Sequence, residues 1–148
     1  MANMSMTLRS TSETGTPDHR LRVFLVAEHI GVRQRMRELL EPDPGVNLVG
    51  ESGCVAAAAE LVPKIGVDVL VLERQLSARK NGLCTYFKAI EPGMKIVVLS
   101  RFEDEVAASA AIEAGAAAFV VKRPGIDLRA ILRAASIAEP EGAARPSA

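Results

Sequence analysis

Four apolar runs in this sequence each end on a side chain that carries charge or donates a hydrogen bond. RVFLVA (22–27) is followed by Glu28 and His29, and VDVLVL (67–72) by Glu73. KIVVL (95–99) is followed by Ser100 and Arg101, and AAFVV (117–121) by Lys122. Brought to one place, these residues would supply a carboxylate pair, an alcohol and an ammonium, a set suited to ionic chemistry in which opposite charges neutralise one another. His29 stands beside a single carboxylate, which does not make a metal site by itself. Arg33, Arg35 and Arg37 read as one solvated helix face rather than a phosphate-binding patch.

The elements that would position these groups alternate between two periodicities. After the first run, Val32, Met36, Leu39 and Leu40 recur at helical spacing, and Pro42, Pro44 and Gly45 end that helix. A second strand is expected over 46–50, and an Ala-rich helix over 55–62 that stops near Pro63. VDVLVL is apolar at nearly every position, as a strand covered on both faces must be. A loop over 73–81 leads to a short helix over 82–90. A further helix over 103–114 carries Glu103, Asp104 and Glu105 in its first turn, where they suit the dipole, and Gly115 at its C-terminal cap. Leu128, Ile131, Leu132 and Ala135 mark the last helix. Five strand–helix units in succession predict an α/β fold, a doubly wound five-stranded parallel sheet of (βα)5 form. Right-handed crossovers place helices on both faces, and ligands of such sheets bind beyond the carboxyl ends of the strands. The four candidate residues stand at those ends.

Composition narrows the function classes. The chain has 148 residues and is half apolar, enough for one domain with a sizeable core. Residues 1–20 and 139–148 are polar, aperiodic and read as a disordered leader and tail around a domain spanning 21–138. Basic and acidic residues balance at 18 each, with no long basic run, so direct nucleic-acid binding is not expected. With no Trp and one Tyr there is no stacking platform for single strands. Cys54 and Cys84 form no CxxC pair, and reduced thiols are the default. Neither a membrane-spanning run nor a secretory signal is visible, which points to a cytoplasmic protein.

The segments RVFLVAEH, VDVLVLERQL, KIVVLS and AGAAAFVVK, in that order, resemble the receiver domain of bacterial response regulators, above all those carrying a LuxR-type helix-turn-helix. The resemblance covers nearly the whole of 21–138. It implies a site in which an acidic pair holds magnesium, an aspartate accepts a phosphoryl group, and a hydroxyl and a lysine contact the phosphoryl oxygens. Metal and ammonium there neutralise charge moving between anions. Carried over by position, Glu73 takes the acceptor's place, Ser100 the switch hydroxyl, Phe119 the switch aromatic and Lys122 the ammonium. Glu28 takes the second place of the acidic pair, while Ala27 takes the first and cannot ligate.

The departures share one direction. Glu73 moves the carboxylate outward by about one C–C bond, roughly 1.5 Å, more than in-line attack tolerates. Ala27 weakens magnesium binding, so no cofactor is expected beyond magnesium held weakly at Glu28. Arg101 stands where the family has a small residue, and is a candidate counter-charge for Glu73 or Glu28. Ser77 replaces a usual proline in a loop one residue longer, and the proline after the strand-five lysine is displaced to Pro124. The resemblance therefore implies an atypical, stand-alone receiver of a two-component phosphorelay, not an enzyme, that binds a protein partner or a histidine kinase. It further implies an isologous homodimer through the helix 4–strand 5–helix 5 face, to which the apolar stripe of helix 5 could contribute. Glu73 is open to three roles: a fixed mimic of the phosphorylated state, an inert remnant, or a slow acceptor. The alternatives are a phospho-accepting regulator, here as a fragment of a DNA-binding protein, and a flavodoxin-like cofactor binder. The latter is disfavoured by the lack of GxGxxG or a P-loop. The starting Met favours a complete chain over a fragment.

Overall fold

Val23, Phe24, Leu25 and Val26 have no exposed surface, because their strand is paired on both edges and covered on both faces. This strand, β1 (Leu21–Val26), sits beside β2 (Val46–Ser52) and β3 (Val69–Glu73), and β4 (Lys95–Ser100) and β5 (Ala118–Val121) complete a parallel sheet in the order β2-β1-β3-β4-β5. The chain is described by a computed structural model over residues 20–73 and 82–137. The expected leader (apart from Arg20), the tail, and the 74–81 loop with Ser77 lie outside those residues.

Strand side chains alternate between two cores, as a period of two requires. Phe24, Val26, Leu70, Leu72, Ile96 and Val98 face α2 (Val55–Ile65), α3 (Gly82–Ile90) and α4 (Glu105–Glu113). Val23, Leu25, Val69, Val71, Val97 and Leu99 face α1 (Ile30–Leu40) and α5 (Leu128–Ser136). The expected doubly wound parallel sheet is therefore observed, and every strand crosses to the next through a helix.

Several boundaries differ from the sequence reading. Helix α2 runs on to Ile65 with Pro63 inside it. Its core anchors Ala58 and Val62 are fully buried, and the proline ring stands on the exposed side, so packing outweighs the lost backbone bond. Gly66, at φ 85°, then caps the helix through its amide on the Val62 carbonyl at 3.2 Å. Helix α4 starts at Glu105 because the Asp104 carboxylate accepts the Ala107 amide at 3.0 Å, which makes Asp104 the N-cap. The apolar stripe of α5 is core: Leu128, Leu132 and Ala135 are buried against the sheet, which withdraws them from any dimer contact. Within the last turn of α5, Arg133 Nη2 donates to both carboxylate oxygens of the buried Asp43, tying the α1–β2 turn to α5.

One glycine is dictated by packing. The β1–β2 register shifts between Val23 and Phe24, pairing Phe24 with Gly50. A Cβ on Gly50 would lie 2.6 Å from the Phe24 ring, which is itself fully buried. Gly50→Ala is expected to lower stability by about 1–3 kcal/mol through overpacking, and urea unfolding of the two proteins measures it. The cysteines give a second check. Burial pushes the Cys84 thiol up to about 11, whereas Cys54 is exposed ahead of α2. Near pH 8 an alkylating reagent should therefore modify Cys54 alone in the native protein, and both thiols once denaturant is added.

Candidate functional site

The carboxyl ends of β1, β3, β4 and β5 meet at one edge of the sheet, and this is where the candidate residues converge. Glu73 is the last residue of β3 and pairs in register with Leu99. Ser100 ends β4 beside Val121, and the Lys122 amide donates to the Ser100 carbonyl at 2.8 Å. That bond fixes where Lys122 leaves the sheet. Its Nζ then lies 3.8 Å from Glu73 Oε2, an ion pair longer than a hydrogen bond. Glu73 is only 1% exposed, and its Oε1 has no hydrogen-bond partner among the described residues. A buried carboxylate is thus balanced by one partly exposed ammonium.

Ser100 is fully buried, yet its hydroxyl does not turn to this pair. It donates to the Phe102 carbonyl at 2.7 Å and accepts the Phe102 amide at 3.1 Å, which closes the chain after β4 into a tight turn. The next residue, Arg101, is carried outward by that turn. It is exposed, and among the described residues no ion pair joins it to Glu73 or Glu28, so the counter-charge seen on Glu73 is Lys122 and not the expected Arg101. Phe119 is half-buried on β5, opposite Val98, and packs against the core under α2, α3 and α4. Glu28 is exposed just after β1.

Arg33 was not singled out from its neighbours in the sequence. A spacing of two turns a helix by about 200°, so Arg35 stands opposite Arg33 and Arg37, which share a face and both approach Glu51. Arg37 pairs with Glu51, while Arg35 is exposed and has no ion pair among the described residues. Arg33 points at the end of β1, where Nη1 donates to the Ala27 carbonyl at 2.7 Å and lies 3.4 Å from the Glu28 carbonyl. Gly53 makes room for it, since a Cβ there would meet Nη1 at 2.6 Å. The helical period alone was the signal that separates Arg33 from Arg35.

This placement tests the magnesium site that the resemblance implies. Ala27 offers only its carbonyl oxygen, and a guanidinium already holds it. Glu28 faces solvent, and among the described residues no group of three or more acids, histidines or cysteines could hold a metal ion. A divalent cation would have to displace a like charge to reach the end of β1, and the donor set does not fit one.

The pair itself has an energetic signature. Lys122→Ala leaves Glu73 buried without a counter-charge and should cost about 1–2 kcal/mol, reduced from a fully buried pair because Lys122 is partly solvated. Glu73→Gln should remove most of that penalty, so denaturant unfolding of the two single variants and the double variant should show clear non-additivity.

Known proteins carry the same arrangement of elements. The response regulator receiver domain family matches residues 23–134. The DNA-binding transcriptional activator DevR/DosR of Mycobacterium tuberculosis is 38% identical over 104 residues, 69% of this chain and 48% of that protein. The nitrate/nitrite response regulator NarP of Escherichia coli is 31% identical over 102 residues, 68% of this chain and 47% of that protein. The chain spans about half the length of these curated relatives. The isolated receiver domain of RcsB from Salmonella enterica serovar Typhimurium, solved with the phosphomimetic BeF3−, superposes with a TM-score of 0.71 at 25% identity, covering 85% of this chain and 97% of that one. With sheet order, strand-end residues and family match in agreement, the chain belongs to the response regulator receiver domains of two-component signalling.

Proposed function

We propose that this receiver signals without conventional phosphorylation, by binding a protein partner in the cytoplasm, with Glu73 as a fixed negative charge at the acceptor position. The observation that carries the reading is the Glu73–Lys122 pair: a carboxylate already buried and paired to the lysine that would otherwise meet a phosphoryl oxygen. Two further features support it. Ala27 and the Arg33 guanidinium leave no seat for the cation that phosphoryl transfer needs, and Glu73 reaches too far to be a well-placed nucleophile. The mimicry is partial, since a carboxylate has one charge where a phosphoryl group carries nearly two. Ser100 and Phe119 are the residues whose positions would report that charge.

The partner surface in this reading is the face of α4, β5 and α5. Val106 on α4 is 81% exposed and Phe102 just before it is 64% exposed, and both are available to a protein partner or a second copy. Among the described residues no helix is long and apolar enough to cross a membrane. A second reading is favoured by the match to only half of DevR/DosR and NarP: a phospho-accepting receiver that is one part of a DNA-binding regulator. One experiment separates them. Incubation with acetyl phosphate and magnesium, followed by intact mass measurement, should leave the mass unchanged. A stoichiometric gain of one phosphoryl group would establish the second reading and overturn the first.

A further inference from the structure

Beside the paired acid lies a cleft of about 480 Å³, walled by α1 and by the chain between β5 and α5. Its volume is that of a small-ligand site. Apolar groups including Met36, Leu39 and Ile126 line it, and three cations, Arg35, Lys122 and Arg123, border it. Among the described residues no acidic side chain lines it. Of the three cations, Arg123 pairs with Glu103, and Lys122 is shared with Glu73 at 3.8 Å. Arg35 is exposed on α1 and has no ion pair among the described residues. An apolar interior with an unbalanced positive border is complementary to one kind of small molecule: an apolar body bearing a single negative charge.

We propose that this cleft binds a small amphipathic monoanion, a carboxylate or sulfonate on an apolar body, and that its occupancy is sensed by the Glu73–Lys122 pair. The sensing step rests on the phosphorylation-independent reading above, while the binding step does not. The coupling is physical. Lys122 faces both the cleft and the buried acid, so an anion in the cleft competes with Glu73 for one ammonium. By linkage, weakening the hold of Glu73 on Lys122 must strengthen the anion's hold, and the reverse.

Anilinonaphthalene sulfonate is a suitable probe, being an apolar fluorophore with one negative charge. Its fluorescence should rise saturably on titration with the full chain, with a Kd in the tens of micromolar, about what a ligand of its size attains. Arg35→Glu and Leu39→Glu, at two points of the border, should each weaken binding about tenfold. Lys64→Glu, on α2 across the sheet, should leave it unchanged. Glu73→Gln should tighten binding about threefold or more by releasing Lys122. Absence of saturation, or equal weakening by Lys64→Glu and Arg35→Glu, would overturn the site. Unchanged affinity in Glu73→Gln would overturn the coupling. The phosphorylation assay involves neither outcome, so the cleft and the signalling reading fail separately.

Discussion

A carboxylate enclosed at the end of a parallel sheet, with one ammonium 3.8 Å away and one oxygen unpartnered, is the constraint around which this site is arranged. Burying a charge is costly unless it is paired, and this pairing is long and single. The sheet offers little else at that point. The hydroxyl of Ser100 is committed to Phe102, and Arg101 is turned to solvent by the same backbone bend. Compensation therefore falls to Lys122, whose position follows from the β4–β5 ladder through its amide bond to Ser100. A shift of β5 by one residue would move the ammonium to the other face and leave Glu73 isolated, so the pair depends on the register of the whole sheet.

A second cation keeps the neighbouring strand end electrically balanced in a different way. Arg33 caps the Ala27 and Glu28 carbonyls just past the end of β1. The guanidinium satisfies those acceptors and brings positive charge where the resemblance implied a metal. Gly53 is part of the same device, because any side chain there would occupy the space the guanidinium fills. The two cations divide the work by geometry: Arg33 serves backbone oxygens at β1, and Lys122 serves the side chain at β3.

Much of this was legible in the residues. VDVLVL and KIVVL are apolar without alternation because β3 and β4 are covered on both faces, and a strand of that kind announces itself. The strand-end residues followed, since the carboxyl edge is where each run stops. What could not be read were choices settled by distant partners. Pro63 marks a helix end by local rules, and only the burial of Ala58 and Val62 shows why α2 continues past it. Helix α5 has a strong apolar stripe, but whether it faces the sheet or a second molecule depends on the strands beneath it. Ser100 ends β4 at the sheet edge, while the direction of its hydroxyl is set by Phe102, two residues on in a turn without a clear sequence signal.

The sharing of Lys122 between the buried acid and the adjoining cleft bounds what the site can do. A ligand shifts an equilibrium only by the difference in its affinity for the two states, so a response routed through one ammonium cannot exceed the strength of the contact it gains or loses there. For a partly solvated pair at 3.8 Å that strength is modest, on the order of 1–2 kcal/mol, or roughly a tenfold change in a binding constant. A tenfold change does not carry a receiver fully from one state to another, which takes about ten-thousandfold. A switch built on this pair alone would therefore be graded. Full commitment would need a further contact that differs between the states, and the Ser100–Phe102 turn, adjoining Lys122 through a backbone bond and exposing the Phe102 ring, is the element positioned to supply it.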